Sequence, residues 1–236
     1  MATFVLVHGA WHGGWCWKRV APLLRAAGHE VYTPTLTGLG ERAHLASPEI
    51  GLSTQVQDVV GVIETEDLRD VILVGHSYGG MVITGVAGRV ADRIAHVVYL
   101  DAFVPDDGQS LIGVFGVPLE AALHVTNGLA DVPPPPIGDF GVTDANDLAW
   151  IKAKMLPHPA LCFTEGVKLP APLEKLPFSR TYILAAGEGL ASPPFVATRE
   201  RLRGNADWRC YDMPTGHDIM VTMPRELSDI LMEVAG

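Results

Sequence analysis

The chain has 236 residues, 48% of them hydrophobic and 19% charged, the composition of a folded globular protein and not of a disordered one. Seventeen Lys and Arg against 27 Asp and Glu leave a net charge of −10, which opposes docking on nucleic-acid phosphates or on anionic lipid. Three widely spaced cysteines (Cys16, Cys162, Cys210) without a CxxC exclude a disulfide framework and a zinc ribbon and fit a reducing cytosol.

Met1-Ala2-Thr3 runs straight into an apolar segment, with no basic region or cleavage site, so no signal peptide is expected. No apolar run reaches about 18 residues, so no membrane span is expected either. The reading is a cytoplasmic protein.

The first half alternates strand and helix signals. Strands are expected at 4–7, 31–33, 71–74 and 95–100, each rich in β-branched residues and stopped by a turn signal such as His8-Gly9 or Pro34. Helical spacing covers 17–27, closed by Gly28, then 56–64 with Ser53 or Thr54 as N-cap, then 81–90. Continuous apolar strands between helices predict an α/β fold, a mostly parallel sheet with helices on both faces. The rhythm breaks after Pro105. Residues 106–177 hold Pro133-Pro134-Pro135-Pro136 and scattered apolar segments, too long for a plain loop. They read as a small helical cap inserted into a single domain of residues 1–236. The rhythm resumes with strands at 182–186 and 208–211 and helices at 195–202 and 226–234.

The sharpest chemical signal is Gly75-His76-Ser77-Tyr78-Gly79, a GxSxG lying directly between a strand and a helix. A nucleophile elbow demands that context, with the serine on a strained turn that leaves no room for side chains two residues either way. A serine needs a base, and such enzymes order nucleophile, acid, histidine along the chain. Of the histidines that follow Ser77, His96 sits inside a strand, and His124 and His158 fall in the cap. His217, just past the last strand, is the expected base. Two carboxylates compete to orient it: Glu188, after the penultimate strand and preferred here, and Asp101, at the end of the strand before the cap.

The oxyanion donors are expected from the backbone amides of Tyr78 and of Ala10, the latter in the glycine-rich turn His8-Gly9-Ala10-Trp11-His12-Gly13-Gly14. His8 and His12 have i, i+4 spacing but no HExxH, so no metal is expected, and His8 reads as a brace for the turn. Gly38-Leu39-Gly40-Glu41-Arg42-Ala43 imitates a dinucleotide fingerprint without the helix it needs. No cofactor is called for. Trp11, Phe103 and Trp150 are candidate walls of an apolar pocket.

These residues resemble the plant-type methylesterase and hydroxynitrile lyase branch of the α/β-hydrolase fold and related bacterial esterases. The likeness is carried by the opening Phe4-Val5-Leu6-Val7-His8-Gly9-Ala10-Trp11-His12-Gly13-Gly14-Trp15, the elbow Gly75–Gly80 and the tail Gly216-His217-Asp218. It implies a serine esterase with an acid after the penultimate strand, where Glu188 and, five residues on, Pro193 match. The lyases of the branch carry Thr at the position of Gly9 and Lys after the histidine. Here stand Gly9 and Asp218, and a carboxylate would repel departing cyanide. The expected activity is therefore a serine carboxylesterase acting on a small to medium apolar or aromatic ester. A carbon–carbon lyase and a catalytically silent binding homologue are the alternatives. The partner is a small-molecule ester, not nucleic acid or membrane, and a homodimer is compatible with the sequence.

Overall fold

The structure, a computed structural model, describes residues 1–116, 124–126, 129–188 and 192–236. In chain order the strands are β1 (Thr3–Val7), β2 (Glu30–Tyr32), β3 (Val71–His76), β4 (Ile94–Leu100), β5 (His124–Thr126), β6 (Leu129–Val132), β7 (His158–Pro159), β8 (Ser179–Ala185) and β9 (Trp208–Met213). Six of them form one parallel sheet in the order β2-β1-β3-β4-β8-β9.

Successive residues of each inner strand serve opposite faces, as the period of two requires. Phe4, Leu6, Ile72, Val74, Val98, Leu100 and Ile183 pack with Trp17, Leu24, Leu227 and Leu231, from the first turns and the terminal helix Pro224–Ala235. Val5, Val7, Leu73, Val97, Tyr99 and Tyr182 pack with the helices Leu52–Thr65, Gly79–Arg89 and Pro193–Leu202. Because every strand is parallel, all six carboxyl ends open on one edge, the place where open α/β sheets build their sites.

Three expectations need correction. The segment expected as one helix over 17–27 is a 3-10 stretch, Gly14–Arg19, followed by an α-helix, Ala21–Ala26. Pro22 has no N–H to give and its ring would strike the preceding turn, so it fits only the first turn of a new helix. The helix Leu52–Thr65 is capped not by Ser53 or Thr54 but from outside. Gly51 is its N-cap residue, and Glu165 accepts the Ser53 N–H at 3.0 Å.

The cap is also not simply helical. It contains the antiparallel sheet β5-β6-β7 beside short helices such as Ala145–Lys152, whose N-cap Asp144 accepts from Asn146 and Asp147. Strands of two to four residues carry no periodicity a sequence can display. Among the described residues, no helix is long and apolar enough to cross a membrane.

Candidate active site

Ser77 follows β3 directly and has φ +54°, a left-handed conformation that costs a non-glycine residue energy. The elbow around it leaves no room for side chains. A Cβ on Gly75 would lie 2.6 Å from Gly79 O, and one on Gly79 would lie 2.8 Å from His8 O. The turn is then locked, with Ser77 N–H donating to Leu100 O (3.1 Å) and Ser77 O accepting from Gly80 (3.0 Å) and Phe103 (3.2 Å). Trp11 (φ +64°) and Asp101 (φ +43°) share the same left-handed backbone, so three strained residues sit just beyond the carboxyl ends of β1, β3 and β4.

His217 lies in the loop after β9. Its N–H donates to Phe140 O (2.8 Å), and its carbonyl accepts from Nε2 of His76, the neighbour of Ser77, at 3.0 Å. Its imidazole stacks on Phe195 (5.2 Å) and Phe140 (5.5 Å). Its Nδ1 meets Asp101 Oδ2 at 2.6 Å, and Asp101, 1% exposed, accepts the Ala185 N–H on its other oxygen at 2.9 Å. The preference for Glu188 is therefore corrected: Glu188 is exposed, and Asp101 occupies the place against the imidazole. The reason is sheet order. β4 lies between β3 and β8, so its end falls between the serine turn and the strand preceding Glu188, and the left-handed Asp101 turns its side chain to the histidine.

The turn after β1 is held by histidine side chains. His8 Nδ1–H donates to Gly9 O (2.8 Å). In a trans peptide the N–H points opposite to the C=O, so this bond aims the Ala10 N–H away from His8. The next peptide is held at both ends. His12 Nδ1–H donates to Ala10 O (2.7 Å), and Trp11 N–H donates to His158 Nδ1 (3.4 Å). The amides of Ala10 and Tyr78, both buried, donate to no acceptor among the described residues. Backbone amides of buried residues are almost always paired, so two open ones beside a strained serine are free to donate to a negatively charged oxygen.

The aromatic surroundings differ from expectation. Trp11 packs against Phe140 and Phe163, with its Nε1 donating to Val132 O (2.8 Å), and Phe103 packs on Phe195. Trp150 instead meets Trp15 edge-on beneath the Arg19 guanidinium, so it ties the cap to the first turn and not to the rings around His217. The Tyr78 ring is buried and its hydroxyl donates to Gln55 (2.8 Å). Sequence reasoning missed Phe140 and Phe195, since nothing in their local sequence marks a ring that will stack on a distant histidine.

Asp218 also departs from expectation. It is completely buried and turned to His12, so the repulsion of cyanide falls away as an argument against a lyase. A steric one replaces it: a Cβ on Gly9 would lie 2.9 Å from both His76 Nδ1 and Ser77 Cβ, which leaves no space for the lyases' threonine. Gly9→Thr is expected to cut ester turnover about a hundredfold by shifting the nucleophile. Turnover within about threefold of native, in folded protein, would show that the loop absorbs the side chain.

The profile of the alpha/beta hydrolase family matches residues 4–230. The carbendazim hydrolyzing esterase of Nocardioides sp. (strain SG-4G) is 45% identical over 98% of each chain. Methylesterase 2 of Arabidopsis thaliana is 38% identical over 45% of this chain and 41% of its own. Among solved structures, an extracellular alpha/beta-hydrolase from a Paenibacillus species superposes with a TM-score of 0.78 at 26% identity, covering 99% of this chain and 98% of its own.

Proposed function

The chain belongs to the alpha/beta hydrolase family, and from that premise we propose that it is a serine carboxylesterase with Ser77, His217 and Asp101 as its triad. Ser77 Oγ attacks the ester carbonyl while His217 Nε2 takes its proton. Asp101 holds the Nδ1–H, so the lone pair stays on Nε2. The Ala10 and Tyr78 amides receive the oxyanion. The proton passes to the departing alcohol, and water then repeats the sequence on the acyl-enzyme to release the acid. The observation that carries this reading is the convergence, at one edge of the sheet, of a strained serine, a buried Asp–His pair and two amides without an acceptor among the described residues.

The aromatic residues Trp11, Phe103, Phe140, Phe163 and Phe195 support a small to medium apolar or aromatic ester as substrate. Three free cysteines support work in a reducing compartment such as the cytosol.

A fluorophosphonate probe is expected to label Ser77 in one-to-one stoichiometry and to abolish hydrolysis of a short aryl ester. An unlabelled Ser77 would favour a silent binding homologue. A panel of esters varied separately in acyl and alcohol size defines the substrate, with carbendazim as one arm on the strength of the Nocardioides relative's name. Equal rates across the panel would remove the aromatic pocket from the proposal.

A further inference from the structure

The side chains of residues 217 and 218 meet different partners. His217 meets Asp101 on the strand side, and Asp218 meets His12 of the first turn, Oδ2 to Nε2 at 3.4 Å. His12 and Asp218 are 2% and 0% exposed. His12 stacks on Trp15 at 5.2 Å. Both of its ring nitrogens face atoms that can only accept: Ala10 O at 2.7 Å from Nδ1, and the carboxylate from Nε2. A ring so placed satisfies both contacts only as an imidazolium. Burial opposes both charges, but their mutual attraction and hydrogen bond outweigh it, raising His12 and holding Asp218 down to about 2. The other Asp218 oxygen accepts no hydrogen bond among the described residues and lies 4.0 Å from His76 Nε2. A buried ion pair adds little stability compared with apolar packing, so its position is what needs explaining.

That position joins the two loops that must agree in space. The Ala10–Trp11 peptide begins at the residue whose N–H serves the oxyanion, and Asp218 is fused to the base. We propose that His12 and Asp218 form a second Asp–His dyad, back to back with Asp101–His217, that acts as a positioning device. It clamps the Ala10 carbonyl and so sets the Ala10 N–H at a constant distance from His217. Neither residue touches substrate. The inference rests on the esterase reading above.

The test uses amides as partial copies of the ring. An Asn amide nitrogen falls near the Nδ1 position and still donates to Ala10 O, whereas a Gln amide nitrogen falls near Nε2 and leaves that carbonyl unheld. With 4-nitrophenyl acetate, His12→Gln is expected to lower kcat about a hundredfold, with KM within about threefold, and to weaken inhibition by a trifluoromethyl ketone by a similar factor. The ketone's adduct places an oxyanion on the same two amides. His12→Asn is expected to regain at least about tenfold of the lost kcat. His12→Gln/Asp218→Ala is expected to be no worse than His12→Gln alone, since groups acting as a unit are not additive. Equal kcat for folded Asn and Gln variants, a loss confined to KM, or losses that multiply in the double variant would overturn the dyad. If neither amide variant folds, Asp218→Asn decides, and native kcat and ketone affinity there would overturn it. Failure of the esterase reading looks different: the native enzyme would turn over no ester, or Ser77→Ala would stay active.

Discussion

Ser77→Ala and His217→Ala are each expected to reduce ester turnover by about a million-fold, and Asp101→Asn by about ten thousandfold, with Glu188→Gln within about threefold of native. The asymmetry between the two acids follows from their surroundings. Asp101 holds two donors at once, Ala185 N–H on Oδ1 and His217 Nδ1–H on Oδ2. In Asp101→Asn the amide oxygen stays with the Ala185 N–H, because a buried backbone donor demands an acceptor. The NH2 then faces Nδ1 and pulls its lone pair inward, so the proton moves to Nε2. The ring is then in the tautomer that cannot receive the Ser77 proton. Glu188 is exposed, and its amidation changes nothing around the imidazole. The measurement is kcat for each variant on a short aryl ester, with unfolding curves to show that the protein is folded. A large loss in Glu188→Gln with little loss in Asp101→Asn would return the acid to the later loop.

That choice marks where local sequence stops being informative. The elbow is legible because everything it needs is within eleven residues: an apolar strand, two small residues flanking the serine and a helix behind. His217 is legible from chain order, and the Ala10 turn from its glycines. Asp101 against Glu188 is a question of sheet order, and nothing in either segment says that β4 lies between β3 and β8. Asp takes up positive φ more readily than most residues, but nothing local says that Asp101 will do so at the end of its strand and turn toward the ring. The His12–Asp218 contact spans 206 residues and was hidden for the same reason. The cap hid its sheet because β7 has only two residues and pairs across more than twenty positions of chain.

Acid is expected to unfold this protein early, from about pH 5, because four of its buried histidines, His8, His76, His96 and His158, are held as neutral rings. His8 donates through Nδ1 and accepts the Leu36 N–H through Nε2. His158 accepts the Trp11 N–H through Nδ1, which leaves Nε2–H to donate to Gln55 Oε1. A second proton on either ring would set N–H against N–H at a side chain that is fully buried. Burial, above all, pulls His8 down to about 3 and His96 to about 4, and it takes His76 and His158 well below the ordinary value of 6.5. For a histidine whose folded pKa is depressed, stability is complete above pH 6.5 and is lost as pH falls toward the folded value. Each such group contributes a slope of at most about 1.4 kcal/mol per pH unit. Four together approach about 5 kcal/mol per unit, which is comparable to the whole stability of many domains. His12 runs the other way. Its stabilisation is complete below pH 6.5 and is lost only as pH climbs through its raised value, so it adds nothing to the acid slope. Asp218 begins to lose its contribution only below about pH 4. Denaturant unfolding between pH 8 and pH 4.5 checks this, with a fall of several kcal/mol expected between pH 6.5 and pH 5. His96→Gln, remote from the nucleophile and able to keep a bond to Thr181, should flatten the slope by up to about 1.4 kcal/mol per unit. A stability that stays level down to pH 4.5 would mean that His8 and His158 take up protons without breaking the bonds that hold the turn after β1.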